Sequence, residues 1–192
     1  MENDIETQIY DLLSTISEEE KLKMLSKNWL SHDARWQIGS VSYLGWDKAN
    51  KLNQNVTKQI GKVLMLRMMK ALKISEVKNI YQVNLLLGLT TYFNFLIHPS
   101  TWYIKTISNE EYKLVINECF TFENVKRVGA TGGYECACHF FREGLFEAIC
   151  IEIEQTCQKN LMKGDNKCKI CIKIKNWNNQ GKSSVINENL MT

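Results

Sequence analysis

Apolar positions change their period along the chain. Leu22, Leu25, Trp29 and Leu30 recur at helical spacing. Ser17 and Glu20 form an S-x-x-E capping box ahead of them. Over residues 47–73, Ala49, Leu52, Val56, Ile60, Val63 and Leu64 follow steps of three and four, with Asp47 available as a cap. Ser75 opens a third predicted helix that runs to about residue 90. The period then shortens to two. TWYIKTI (101–107) and YKLVINECF (112–120), joined by Ser-Asn-Glu-Glu, predict a β-hairpin. ICIEIEQTC (149–157) and KCKICIKIK (167–175) predict a second, turned at Gly-Asp. Residues 136–148 between them predict a helix, after a glycine-bearing loop at 129–133. The expected class is α+β: N-terminal helices, then β-hairpin, helix, β-hairpin, forming a small antiparallel sheet. A single domain over 1–176 and a polar, Asn-rich tail over 177–192 follow.

Charge adds little to this picture. Twenty-four basic and 21 acidic residues leave +3, too mild a balance to imply nucleic acid. The basic residues Lys62, Arg67, Lys70 and Lys73 read as a solvated helix face. The richest apolar run, residues 85–97, is too short to span a bilayer and carries polar residues. The N-terminus, MENDIETQIYDLLS, has no apolar leader. The expectation is a cytoplasmic protein with reduced thiols. Its expected partner is a small organic molecule rather than nucleic acid or a membrane, with room left for a homodimer. Seven cysteines cannot all pair internally.

The densest chemistry lies in GGYECACHFFR (132–142), where Cys136, Cys138 and His139 fall within four positions. They can be metal ligands, a nucleophile with its base, or small buried residues, the last being the ordinary place of a free cysteine. Cys168 and Cys171 have CxxC spacing, yet in a strand they face opposite sides. Cys168 goes with Ile170, Ile172 and Ile174 toward the core, and Cys171 goes with the lysines. A set drawn across the fold suits zinc better: Cys157 and Cys168 flank the second hairpin's connection, Glu154 precedes, and Cys136 or Cys138 completes four ligands. Zinc is the one cofactor such a set would take, and a closed set of this kind is structural.

The run C-H-F-F-R-E-G-L-F-E-A, then E-Q-T-C, then K-G-D-N-K-C-K-I-C-I-K-I resembles the C-terminal part of 4-vinyl reductase-type domains. That resemblance implies a small ligand-binding module with a structural zinc on Cys138, Glu154, Cys157 and Cys168, Cys136 competing for the first place. The N-terminal half, W-L-S-H-D-A-R-W-Q, then Y-L-G-W-D-K-A-N-K-L-N, then G-K-V-L-M-L-R-M-M-K-A-L, resembles a family grouped with L-2-amino-thiazoline-4-carboxylic acid hydrolases. Its His-Asp-x-x-Trp element is His32, Asp33 and Trp36 here. Gly45, Asp47 and Ala49 form a second element, and Cys119 fits a cysteine at the end of the family's central strand.

Three functions follow. The first is a small-molecule-binding module whose pocket is lined by Trp36, Cys136, Phe141 and Trp102, with zinc or buried thiols bracing the second hairpin. The second is a hydrolase with Cys138 as nucleophile and His32, supported by Asp33, as base. The third is a protein-interaction subunit that catalyses nothing, which an apolar surface over residues 80–97 would support. In the first two, His32 borders a cavity reached also by the 132–141 segment.

Overall fold

The computed structural model describes residues 3–95 and 101–177. It has the expected α+β architecture. Helices α1 (Asn3–Ser14), α2 (Glu18–Ala71) and α3 (Ile80–Phe95) come first. Strands β1 (Trp102–Thr106) and β2 (Glu111–Ile116), helices α4 (Phe120–Arg127) and α5 (Cys138–Ala148), and strands β3 (Ile151–Lys159) and β4 (Cys168–Trp177) follow. The antiparallel sheet has the order β1-β2-β4-β3.

Several expectations hold with shifted edges. The Ser17 cap accepts from the Glu20 N–H at 3.2 Å. The first two predicted helices are the two segments of α2, which meet at a kink at Gly45, whose φ of 74° and ψ of 167° leave helical space. The third helix starts at Ile80 rather than Ser75. Asn79 caps it by accepting from the Gln82 N–H at 2.9 Å. The hairpin expected to reach residue 120 ends at Ile116, and Phe120 opens the short helix α4, which the strand-like composition hid. Trp177, assigned to the tail, closes β4 and packs on the core. Residues 96–97 of the apolar run and 178–192 of the tail lie outside the described residues.

The helices cover one face of the sheet. Tyr112 and Leu114 of β2 and Ile170, Ile172 and Ile174 of β4 meet Met65, Leu86, Leu87, Leu145 and Phe146 in the core. Cys168 packs on that core, while Cys171 faces away and donates to Glu111 Oε1 at 3.1 Å, so the register of the CxxC is as expected. The α2–α5 contact depends on two glycines. A Cβ on Gly144 would fall on the Lys58 carbonyl oxygen, and one on Gly61 on the Phe141 carbonyl oxygen. The helices therefore meet backbone to backbone. Lys58 and Lys62 clasp Glu147 beside this crossing, at 3.1 and 3.0 Å, and hold its carboxyl below the usual range.

Candidate functional site

The inner half of α2 fixes the cysteine-bearing loop. Asn50 is buried. Its Nδ2 donates to the Gly133 carbonyl at 2.8 Å, and its Oδ1 accepts from the Glu135 N–H at 3.2 Å. Gln54 Nε2 donates to Glu135 Oε2 at 2.9 Å. The Trp46 ring lies so close to Gly133 that a Cβ there would strike it. The loop is thus pinned by its backbone, and it delivers Cys136 and then Cys138, the first residue of α5.

A cavity of about 60 Å³ lies between α3, β2, α4 and α5. Leu87, Leu114, Ile116, Phe120 and Phe141 make it apolar. The thiols of Cys119 and Cys138 stand in its wall, with Thr91 and Arg142. Arg142 is the unusual member, because it is only 6% exposed. Its Nε donates to Gln155 Oε1 at 2.6 Å, and Gln155 in turn donates to the His139 carbonyl at 3.2 Å. Among the described residues no carboxylate lies within ion-pair distance of Arg142. A buried guanidinium without a carboxylate partner is costly, and the acid that its charge helps to hold down is the Cys136 thiol.

The thiols nearby differ in ionisation. The Cys138 thiol hydrogen-bonds to the Cys136 sulfur, which also accepts from the Cys138 backbone N–H and feels Arg142. These hold Cys136 below the ordinary thiol range against its burial. Donating that bond, together with burial, pushes Cys138 up. Burial pushes Cys119 up to about 11 and also raises Cys168. Burial likewise raises Tyr134, beside both Cys136 and Cys138.

The residues singled out in the sequence divide into separate groups. Cys138 and Phe141 line the cavity, and Cys136 sits against Cys138. Trp102 packs on the core near Gly88 instead of lining this cavity. His32, Asp33 and Trp36 lie on the exposed outer part of α2. His32 stacks between Trp29 and Trp36, with ring centroids 6.1 and 6.5 Å away, and it is not in the cavity lining. His139, the other histidine near Cys138, points its Nε2 at Glu143 Oε1, 2.9 Å away.

The four zinc candidates do not fit a closed ligand set. Glu154 is ion-paired to Lys175. Cys157 is exposed, donates to the Lys159 carbonyl at 3.2 Å and pairs in register with Ile170 rather than Cys168. Cys168 accepts from the Leu161 N–H at 3.4 Å. Among the described residues, no three His, Cys, Asp or Glu side chains gather where they could hold a metal ion. The strand ladder is irregular between Cys157 and Lys159, and Cys157 is near enough to raise the Cys168 thiol slightly. Cys119, Cys136, Cys138 and Cys168 also lie near enough to affect one another's ionisation. Two important residues had escaped notice in the sequence. Arg142 and Asn50 stand there only inside longer motif runs, with no role of their own. Only their long-range partners mark them out.

No protein-family model matches the chain, and no curated protein matches it. The chain is similar in fold to a crystal structure of a trafficking protein particle complex subunit 3 from Naegleria fowleri covalently bound to palmitic acid. The TM-score is 0.51 and the identity 14%, over 83% of this chain and 98% of that one. No described helix is long and apolar enough to cross a membrane.

Proposed function

We propose that the chain is a small-molecule-binding module for an apolar carboxylic acid, held in the cavity between α3, β2, α4 and α5. One observation carries this reading: a buried guanidinium, Arg142, stands without a carboxylate partner in an otherwise apolar wall. Apolar sites fix their ligands with a few placed polar groups, and a guanidinium is matched to a carboxylate. The apolar walls would take the hydrocarbon part and Arg142 the anionic end. The cavity holds only a few heavy atoms as it stands, so a longer chain requires its walls to move apart. The palmitic acid on the trafficking-complex subunit is covalently bound, so what it shares with the proposed ligand is the hydrocarbon part. The hydrolase reading has less support, because no histidine lines the cavity beside Cys138.

Titration calorimetry with a series of alkyl and aryl carboxylic acids, each beside its methyl ester, tests the proposal. The acids should bind, and the esters should bind at least about tenfold more weakly, given that hydrogen bonds to charged groups are worth about 1.5–3 kcal/mol. Arg142→Lys should reduce that preference, with a thermal melt run alongside to show that the variant is folded. Equal binding of acid and ester, or no binding by any of the acids, would sink the idea.

A further inference from the structure

The outer part of α2 carries an apolar seam that nothing among the described residues covers. Leu22, Leu25, Trp29, His32, Trp36 and Tyr43 follow one another at steps of three and four, with Gly39 filling the remaining place. That is the seven-residue repeat of a helix seam, with a mean spacing of 3.5 residues. It runs over 22 residues, about 33 Å of helix. Within a single-chain fold such a stripe is normally buried. Here Tyr43 is 89% exposed, Trp36 66% and Trp29 46%. A different face of the same segment carries the partly buried positions Leu30, Gln37 and Val41. Body and seam therefore use different sides of the helix.

We propose that this seam pairs α2 with the α2 of a second copy of the chain. Three features favour a like copy over another occupant. First, a 3.5-residue repeat is complementary to another helix of the same repeat, knob into hole, and not to a flat surface. Second, with aromatic side chains of about 150–250 Å² each, the seam leaves several hundred Å² of apolar area open. That exceeds what scattered exposure on a monomer explains, and it approaches the roughly 800 Å² per partner of a stable interface. Third, the flanks do not repel a copy. Ser26, Asn28, Ser40 and Ser42 are uncharged, and the remaining flanking positions are Asp33 and Arg35, of opposite sign.

His32 then acquires a role in the pairing. Stacked between Trp29 and Trp36, it is the one imidazole in the seam. A single polar residue at such a position fixes register at some expense of stability. His32 is a register residue, and the His-Asp-x-x-Trp element is part of an assembly surface.

Sedimentation equilibrium of the full chain over about 1–100 µM tests the proposal, with circular dichroism to confirm helix content. The wild type should show a monomer–dimer equilibrium. Trp36→Glu together with Tyr43→Glu should weaken it at least about 100-fold, as expected when large aromatic anchors are lost, while the fold is kept, since both side chains point to solvent. His32→Leu should tighten it. A wild type that stays monomeric at 100 µM overturns the proposal, as does a dimer indifferent to the double substitution. If the monomeric chain instead shows a blue-shifted tryptophan emission with anionic phospholipid vesicles, the seam belongs to a lipid surface and the second copy is likewise rejected.

Discussion

The two halves of α2 make a controlled comparison. Both are helical, both carry apolar residues at helical spacing, and they are joined through Gly45. Their fates are opposite. Residues 46–71 bury Ala49, Asn50, Gly61 and Met65 against α5 and the core, while Leu52 and Val56 remain exposed. Residues 18–44 expose Leu22, Leu25, Trp29 and Trp36. The buried half thus packs through large residues such as Met65 and through small and polar positions that let α5 come close, and the exposed half displays its large side chains to solvent. Apolar spacing alone does not report burial. What decides it is whether the facing element can come close, and Gly61 and Gly144 let α5 do so.

That contrast can be broken first at the core. Phe146→Ala removes a ring that is 2% exposed, and it should cost about 3–5 kcal/mol in urea unfolding. Trp36→Ala should cost under about 0.5 kcal/mol in the dilute monomer, as surface substitutions do. If the two cost the same, the outer half is packed within its own chain and the contrast is false. Gly144→Ala follows in size. Its methyl group would meet the Lys58 carbonyl, so a loss of about 1–3 kcal/mol is expected from overpacking. A neutral or stabilising effect, as helix propensity alone would give, would show that the backbones do not meet there.

How much of this could be seen in the sequence depends on the range of the interactions. The capping box, both hairpins and the opposite faces of Cys168 and Cys171 were legible, because each follows from residues a few positions apart. The helix α4 was not, since Phe120 and Phe122 look strand-like until Cys119 turns the chain. The partners of Asn50 lie more than 80 residues away, and the lack of a carboxylate beside Arg142 is a property of the whole fold. The zinc expectation rested on nearness in sequence across the second hairpin. There the strand register pairs Cys157 with Ile170.

The smallest predicted effect concerns reactivity and leaves the fold unchanged. Cys136 is held below the ordinary thiol range, so its thiolate persists as pH falls below that range. Cys119, pushed up to about 11, stays protonated until well above neutrality. Iodoacetamide labelling at pH 7, mapped by peptide mass, should modify Cys136 severalfold faster than Cys119. The gap should narrow by pH 10, where Cys119 begins to ionise. Equal rates at pH 7 would mean that the Cys138 hydrogen bond and the Arg142 charge do not act on Cys136.

Gly45 has a consequence for motion over time. Its φ of 74° interrupts the ladder of i to i−4 bonds, and the two flanking segments must each be nucleated separately. A helix that looks continuous therefore runs on two clocks. Backbone amides of residues 49–71 are released to deuterium only when the packed body opens, and they inherit its slow exchange. Those of residues 22–44 open by unwinding the outer segment alone. Their exchange rate becomes a gauge of whatever lies on the seam, slowing as chain concentration rises while the inner amides do not change.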